Sequence, residues 1–477
     1  MNSQNGTVPG ADVITTLRFR RQWVLTRDSS SAPPHFQNVR LSGGWFLCTH
    51  PHAAIRTIQL GPRSTIVIGA ASRDDRVGPL VHEPEVAGDN ADPLDFIRRL
   101  AGVYSVLVDD GQNVTVYTDP GGLANVFYSD TAIASSPGLL GRLERDTDLD
   151  AQYVFQGTDN WYPGSLTPYR GIKVLMANHG IVAGNHQPSR FWPTSQAVGD
   201  LAPSDAIERM CMTMRIGIRN LAAGHPLLVS ITGGRDSRIN LAAIMADQVP
   251  CNAFTLISPS FGRREVELVR TLVSASGVEH RFLTNVDAPA WMLELYDEIS
   301  AGLSTGARRS TIGSFAKLAG ERQVHVNGNL GAIFKSFYWP SRQPAGVTIH
   351  DLAKEFVQRP PRIMGGLQEW LDSLPKLAPT VILNLMYLEQ RGGRWMGIGE
   401  RASQLLYDSY TPFCSRQVFE TLNRLPLEWQ WGGRCMSALV DHMAPRLAGV
   451  PYCSGTSLWK RAIPKPLKVL ARKCVGR

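Results

Sequence analysis

Short runs of β-branched and aromatic residues, separated by turn residues, fill the first 193 positions of the chain. Examples are residues 64–70, 102–108 and 113–118, each bounded by Gly, Asp, Asn or Pro as strands commonly are. The Asp-Asp-Gly-Gln sequence at 109–112 predicts a hairpin turn between two of these runs. The pattern therefore predicts a mainly antiparallel, β-rich domain over residues 1–193.

The periodicity becomes helical after a polar linker at residues 194–203. Pro203-Ser204-Asp205 supplies a helix start, and apolar residues follow at helical spacing as far as Leu221. Beyond it, strands are predicted at 227–232, 252–257 and 324–326, and helices at 237–246 and 265–275. This alternation predicts a parallel α/β sheet in a second domain over residues 204–459, mostly helical from Asp351 onward.

Composition narrows the class of protein. The 477 residues are 43% hydrophobic and 19% charged, which excludes a disordered, collagenous or coiled-coil chain. No stretch reaches the ~18 consecutive apolar residues that a membrane helix needs, and no basic start followed by an apolar block predicts a secretory signal. Seven scattered cysteines without a C-x-x-C motif predict reduced thiols, so we expect a cytoplasmic protein.

The net charge of +8 is concentrated at the end of the chain. Residues 460–477 contain seven basic residues and no acidic one, so the rest of the chain is nearly neutral. Because nucleic-acid binding needs a broad basic face, we expect no nucleic-acid partner. This basic tail either contacts an anionic membrane or an acidic partner, or forms a solvated end.

The segment with the clearest chemical meaning is Thr232-Gly233-Gly234-Arg235-Asp236-Ser237, between a predicted buried strand and a helix. Its two glycines allow a tight turn with positive φ and let the backbone approach a ligand closely. Free N–H groups and the positive dipole end of the helix favour an anion such as phosphate. Thr232 and Ser237 can add hydroxyl donors, and Asp236 is the expected oxygen ligand for Mg²⁺. The loop therefore predicts a nucleotide site at the carboxyl end of the sheet.

Other interpretations of these signals remain. A Gly-Gly turn capped by Asp or Ser also begins many helices that bind no ligand. No Walker sequence competes, because Phe334 stands before Lys335 where glycine would be required. Cys48, His50 and His52 could point one way in an extended segment, but an intervening proline and the lack of a fourth ligand argue against a metal site there.

The loop resembles the Ser-Gly-Gly-x-Asp-Ser pyrophosphate loop of the asparagine synthetase family. Landmarks in the same order are also similar to that family, at residues 102–108, 117–128, 169–175, 191–193 and 410–416. The resemblance implies an α+β, Ntn-hydrolase-like sandwich that normally hydrolyses glutamine. It implies that an α/β adenine-nucleotide alpha hydrolase-like (PP-loop) domain with a parallel sheet follows.

The same resemblance implies a reaction and its participants. ATP and Mg²⁺ would be the cofactors, a carboxylate would be adenylated with release of pyrophosphate, and an amine would then form the amide. Asp236 and Ser237 would be catalytic, and Asp236 would bind the metal. The residues that would hold the pyrophosphate are Thr232, Gly233, Gly234, Asp236 and Ser237. Small-molecule carboxylate and amine substrates are expected, and a homodimer is a further expectation.

Several positions depart from the family. Asn2 stands where glutamine-hydrolysing members carry a cysteine, so we expect no glutaminase activity, with ammonia or a substrate amine as nucleophile. Gly331 and Ala332 replace an Asp-Glu pair that normally supplies a second metal-binding carboxylate. The family's late lysine is not found, since Lys460 is displaced. Two loop arginines, at 235 and 238, either contact phosphate or lie on a solvated helix face.

Three hypotheses follow. The first is an ATP-dependent, AMP-forming amide ligase without glutaminase function. The alternative is a catalytically degenerate ATP-binding or scaffolding protein, suggested by Asn2, Gly331 and Ala332. The third, a tRNA-modifying enzyme that adenylates a base, is disfavoured by the nearly neutral body of the chain.

Overall fold

A computed structural model of the chain describes residues 9–78, 80, 92–153, 161–257, 262–318, 320 and 322–453. Asn2, Lys460 and the basic tail lie outside these residues. The described part contains two six-stranded antiparallel sheets followed by one five-stranded parallel sheet with its helices. None of its helices is long and apolar enough to cross a membrane.

The antiparallel sheets are built from twelve strands in the described part of the chain. They are β1 (Trp23–Thr26), β2 (Gln37–Arg40), β3 (Phe46–Thr49), β4 (Ile55–Leu60), β5 (Arg63–Arg73), β6 (Leu100–Asp109), β7 (Val114–Thr118), β8 (Phe127–Tyr128), β9 (Ala132–Ala134), β10 (Lys173–Val174), β11 (His179–Val182) and β12 (Ser189–Arg190). The first sheet has the order β10-β8-β9-β1-β3-β2 and the second β12-β11-β7-β6-β5-β4. All pairings within both sheets are antiparallel.

The two antiparallel sheets form a sandwich. One buried cluster joins Trp23 and Leu47 of the first sheet to Ile66, Leu107 and Val116 of the second. The other face of the second sheet is also covered, because its strands belong to the same core as the helices and the parallel sheet. Burial on both faces explains why the central parts of β5 and β6 are mostly apolar and show no strict alternation of apolar and polar residues.

The parallel sheet has the order β15-β14-β13-β16-β17. Its strands are β13 (Leu227–Ser230), β14 (Cys251–Ile257), β15 (His280–Thr284), β16 (Val324–Val326) and β17 (Asp408–Tyr410). Adjacent strands are all parallel. Since parallel strands end at one edge, the loops that follow β13 and β16 meet there.

Fourteen α-helices are described. They are α1 (Ala11–Leu17), α2 (Pro93–Arg98), α3 (Thr147–Gln152), α4 (Pro203–Ala222), α5 (Arg235–Ala246), α6 (Arg263–Ser276), α7 (Ala290–Ser300), α8 (Ala307–Ala316), α9 (Ile349–Ala353), α10 (Pro361–Asp372), α11 (Pro379–Leu385), α12 (Gly397–Ser403), α13 (Arg416–Arg424) and α14 (Arg434–Met443). A π-helix, Met386–Met396, joins α11 to α12. Short 3₁₀ turns are Ser29–Ser31, Ser42–Gly44, Pro137–Leu139, Gly331–Lys335, Leu427–Trp429 and Pro445–Leu447.

The elements predicted from periodicity are largely present. The runs at 64–70 and 102–108 lie within β5 and β6, and all but the first residue of the run at 113–118 lies within β7. The predicted turn between β6 and β7 is closed by a hydrogen bond from Asp110 N–H to the Asn113 carbonyl, 3.1 Å away. The predicted helix start at Pro203 is the start of α4. Strands β15 and β17 were not predicted. The sandwich and the parallel sheet are confirmed, whereas the Ntn-hydrolase likeness and the domain boundaries at 193, 203 and 459 stay predictions.

The antiparallel and parallel parts meet at what we call the junction, formed by β5, β6, β17 and the start of α13. Gly102 of β6 donates its N–H to the Cys414 carbonyl at 3.0 Å. The ring of Tyr410, from β17, lies against Gly102, and its hydroxyl is 3.0 Å from Ser72 Oγ. Arg416, 1% exposed, reaches from α13 into the antiparallel part. Two of the family landmarks, 102–108 and 410–416, thus contact one another.

A buried acid at the junction predicts an unusual pH dependence. Asp74 is 1% exposed and accepts a hydrogen bond from the Ser415 hydroxyl. Burial raises the pKa of Asp74 to about 7, although Ser415 and Arg73 favour its charged form. Between its ordinary pKa of 3.8 and about 7, the unfolded chain releases a proton that the folded protein keeps, so stability falls as pH rises through this window.

We therefore expect Asp74→Asn to flatten the pH dependence of stability. The wild type should lose about 2–3 kcal/mol between pH 5 and pH 8 through this group, at about 1.4 kcal/mol per pKa unit, and the variant should not. Urea denaturation at both pH values measures the difference. Asp205→Asn, an exposed carboxylate in the first turn of α4, is the control. Equal pH dependence in wild type and Asp74→Asn would contradict the neutral, buried state of this carboxyl.

Candidate functional site

The loop at residues 231–237 leaves the carboxyl end of β13 and enters α5. Ile231 N–H still bonds to the sheet, at the Phe254 carbonyl, 2.8 Å away. The loop is then closed by its own hydroxyls, since Ser237 Oγ lies 3.1 Å from Thr232 N and 3.0 Å from Thr232 Oγ1. Gly234 N–H donates to Thr232 Oγ1 at 3.2 Å. The structure therefore brings Thr232, Gly234 and Ser237 together.

The two glycines do not adopt the backbone predicted for them. Neither Gly233 nor Gly234 has positive φ, and Gly234 is extended at φ −78° and ψ 176°. Close approach to a ligand, the second predicted reason, stays a prediction: a Cβ on Gly233 would lie 2.9 Å from the Cβ of Cys453, a residue of the chain itself. No local motif predicts this contact, because Cys453 is far from Gly233 in the chain.

The first turn of α5 offers N–H groups to an anion. Its N-cap is Gly234, which has no side chain to accept from them, so no side-chain cap is formed. The Glu265 carboxyl already lies beside the loop, where its Oε1 would be 3.8 Å from a Cβ on Gly233. Burial raises the pKa of Glu265, and the Gly233 N–H partly offsets the shift by favouring the charged form. The contact indicates that the loop backbone favours oxyanions.

Asp236 faces away from the hydroxyl pair, toward the segment that follows β16. Its Oδ1 is 3.2 Å from the Lys335 ammonium, and its side chain is 33% exposed. Burial raises the pKa of Asp236, whereas Lys335 and Arg235 favour the charged form. A Cβ on Gly331 would lie 2.7 Å from Asp236 Cγ, so Asp236 occupies the space next to a position where the resemblance led us to expect a carboxylate.

These residues do not fit a protein-held Mg²⁺ site well. The charges that act on Asp236 are both cations, and Gly331 and Ala332 carry no oxygen ligand in their side chains. Among the described residues, no three His, Cys, Asp or Glu side chains come close enough to hold a metal. Magnesium prefers oxygen ligands, and here Asp236 is already neutralised by an ammonium. The assignment of Asp236 as a metal ligand stays a prediction, and the cations beside this carboxylate argue against it.

The loop arginines contact other parts of the chain, so Arg238 does not lie on a solvated helix face, while contact with phosphate stays a prediction. Arg238 is fully buried and donates to the carbonyls of Val450 and Pro451, the latter at 2.6 Å. The guanidiniums of Arg235 and Arg238 lie 4.1 and 3.8 Å from the ring centroid of Tyr452. Both side chains therefore hold the segment 450–453 across the loop by cation–π contacts, and Arg238 also holds it by hydrogen bonds. Cys453 N–H completes the attachment at the Gly233 carbonyl, 2.8 Å away.

A cavity of about 780 Å³ opens beside the loop, with Thr232 and Asp236 in its wall. Aromatic residues form part of the remainder, including Phe315, Trp395 and Tyr407. The volume suits a small organic molecule.

Two groups in the cavity wall are chemically distinctive. Arg394 donates to the carbonyls of Tyr162 at 2.9 Å and Leu166 at 2.6 Å, and burial lowers its pKa to about 9. Its hydrogen bonds go to neutral oxygens, and the charge of Glu369 partly offsets the lowering of its pKa. His325 is 3% exposed and both ring nitrogens lack a hydrogen-bond partner among the described residues, while burial lowers its pKa to about 3. It presents an uncharged, unsatisfied imidazole to the cavity.

The weak metal candidate at Cys48, His50 and His52 is structural. His50 is buried, with Nε2 2.8 Å from the Thr16 carbonyl and Nδ1 accepting from His52 N–H at 3.0 Å. Both ring nitrogens are thus engaged within the protein. Burial raises the pKa of Cys48 and lowers that of His50 to about 4, which favours a neutral thiol and a neutral imidazole.

Sequence patterns did not identify Glu265, Lys335 or Tyr452 as residues of this site. Glu265 and Tyr452 reach the loop from distant positions and carry no local motif. Lys335 had one usable signal: it follows closely after Gly331 and Ala332, where the resemblance led us to expect two acidic residues. A lysine without those acids beside it predicts a positive local charge in this segment.

Comparisons with known proteins identify no family for this chain. No family model and no curated protein matches the sequence. Among solved structures, the chain is similar to NMN synthetase from Francisella tularensis, with 13% sequence identity and a TM-score of 0.20. The match covers 37% of this chain and 73% of the other. A likeness this weak does not indicate an activity, so the geometry of the loop and cavity has to support any function assigned to the chain.

Proposed function

We propose that the protein is an ATP-dependent, AMP-forming amide ligase without glutaminase activity. The observation that carries this proposal is the placement of the loop at residues 231–237. It joins a buried parallel strand to a helix start without a side-chain cap and opens onto a cavity of about 780 Å³. An anionic triphosphate suits the helix start, and an organic acid suits the cavity.

The reaction divides between these two places. The triphosphate binds at the first turn of α5, where N–H groups and the helix dipole stabilise the charge that develops on the departing pyrophosphate. The substrate carboxylate attacks the α-phosphorus, forming the acyl–adenylate as the bond to pyrophosphate breaks. An amine then attacks the acyl carbon, loses a proton and expels AMP. The products are an amide, AMP and pyrophosphate.

The side chains of the cavity can position the acid. Arg394 offers a guanidinium whose present partners are carbonyl oxygens, and carboxylates are its preferred ligands. Phe315 and Trp395 can exclude water from the reacting groups. The amine is ammonia or part of a substrate. Asn2 lies outside the described residues, and the cysteine nearest the N-terminus, Cys48, is 1% exposed with its pKa raised by burial.

Release of AMP and pyrophosphate from ATP tests the proposal. We expect the purified protein to form both when it is given ATP, ammonia or a diamine, and a panel of carboxylic acids. Asp236→Ala should lower the rate by about 100-fold or more, because it removes the carboxylate that holds the Lys335 ammonium beside the helix start, where negative charge develops on the departing pyrophosphate. Asp247→Ala, at the other end of α5, should retain activity. ATP binding without AMP from any acid and amine would contradict ligase activity.

A non-catalytic nucleotide-binding protein is the second candidate. Gly331 and Ala332 favour it, because the carboxylates expected at these positions are absent. The segment 450–453 also lies over Gly233, which limits access to part of the loop. A rise in melting temperature with ATP, with no detectable AMP or pyrophosphate exchange, would support this candidate. Measurable exchange would eliminate it.

A further inference from the structure

Lys335 is held rigidly at the edge of the loop. It ends the 3₁₀ turn Gly331–Lys335, which is flanked by Leu330 at φ 69° and Ser336 at φ 48°. Both flanking residues are fully buried, as is Phe334 within the turn. Left-handed backbone at residues other than glycine persists only where the surroundings enforce it. The Cα of Lys335 is thus fixed, while its side chain is 38% exposed and ends at Asp236.

The approach of Lys335 to Asp236 depends on small residues. Cβ atoms on Gly328 and Gly331 would lie 3.0 and 2.7 Å from atoms of the Asp236 side chain. Glycine at these two positions lets Asp236 sit against the backbone of the segment that follows β16. Its carboxylate then lies 3.2 Å from the Lys335 ammonium. A larger residue at 331 would displace Asp236 from this position.

We propose that Lys335 supplies the positive charge at the phosphate site that a carboxylate-held Mg²⁺ would otherwise supply. The inference rests on the proposed nucleotide site. The ammonium has three N–H donors, so it can keep its contact with Asp236 and donate to a phosphate oxygen at the same time. Asp236 acts as a positioning residue for Lys335, and the helix start supplies the remaining donors. Lysine binds phosphate as a point charge and needs no further carboxylate ligand.

The proposal predicts how Mg²⁺ affects nucleotide binding. In the wild type, ATP should bind with similar affinity in EDTA and in Mg²⁺, within about threefold, or less than 1 kcal/mol. Lys335→Met should weaken binding in EDTA by about tenfold or more, or at least 1.4 kcal/mol. Mg²⁺ should restore part of this loss, because removing the ammonium frees Asp236 to bind the metal. Lys335→Arg should bind nearly as well as the wild type in EDTA.

Isothermal titration with ATP, in EDTA and in Mg²⁺, measures these affinities for each variant. Lys354→Met is the matched control, since Lys354 is an exposed lysine paired with Asp351 on α9, and its binding should not change. Thermal melting checks that Lys335→Met is folded. Wild-type binding that requires Mg²⁺, or Lys335→Met that binds like the wild type in EDTA, would overturn the role of Lys335 alone. Failure of the folded wild type to bind ATP in either buffer would overturn the nucleotide site as well.

Discussion

Arg416→Met should destabilise the protein by about 3–5 kcal/mol, a large part of the ~5–15 kcal/mol that holds most folded domains together. The guanidinium is 1% exposed and donates to the carbonyls of Ile97 and Thr118, at 3.0 and 3.1 Å. It also donates to the Asn178 side-chain oxygen at 3.0 Å. Methionine can fill much of the space but donates to none of these acceptors, so the buried hydrogen bonds of the guanidinium are lost and the Asn178 side-chain oxygen loses the donor it has in the wild type.

The same replacement at Arg424 provides the comparison for Arg416. Both arginines belong to α13, but Arg424 is 34% exposed and pairs with the partly exposed Asp200. Exposed ion pairs contribute about 0–1 kcal/mol, so Arg424→Met should shift the urea midpoint little. If both variants had the same midpoint, the buried hydrogen bonds of Arg416 would not hold the antiparallel and parallel parts together.

Gly102→Ala should have an effect of similar size at the junction. Gly102 has φ +116°, and a Cβ there would lie 2.2 Å from the Ala70 carbonyl oxygen and 2.7 Å from the Tyr410 ring. The first contact is with the backbone of β5, so no side-chain rotation can relieve it. Overpacking by the added methyl group should cost about 1–3 kcal/mol, and the positive φ should cost an alanine about 1–2 kcal/mol more. Together they predict that the free energy of unfolding falls by about 2–5 kcal/mol.

Gly111→Ala separates crowding from backbone strain. Gly111 also has positive φ, at +88°, but a Cβ there would meet no atom within 4 Å. Its replacement should therefore show the backbone cost alone, about 1–2 kcal/mol. Urea denaturation of both variants gives the comparison. A loss for Gly102→Ala no greater than for Gly111→Ala would show that β5, β6 and β17 can separate without cost at this point.

Local sequence signals predicted the elements that are long and strongly patterned. Strands β5 and β6 could be predicted because both of their faces are buried, which requires apolar residues at most positions along each strand. Strand β17 was missed because Asp408–Tyr410 is three residues long, contains no β-branched residue and lies in a helical region. Its place in the sheet is set by tertiary pairing with β16, through Val324 and Asp408 among others.

Only the part of the candidate site that is formed by neighbouring residues in the sequence could be predicted. The position of the loop between β13 and α5 followed from the buried strand before it and the helix after it. The roles of Arg235 and Arg238 could not follow from sequence, because their partner Tyr452 is more than 200 residues away in the chain. The same limit applied to Lys335 and Asp236, which are 99 residues apart and meet only when β13 and β16 pair.

A crystal structure with a non-hydrolysable ATP analogue would test the nucleotide site most directly. The phosphates should lie at the first turn of α5, bounded by the Thr232–Ser237 hydroxyl pair on one side and by the Lys335 ammonium on the other. Phosphate density at this position would establish the site on which the ligase proposal depends. An analogue bound elsewhere, or a helix start that holds only water at saturating nucleotide, would contradict it.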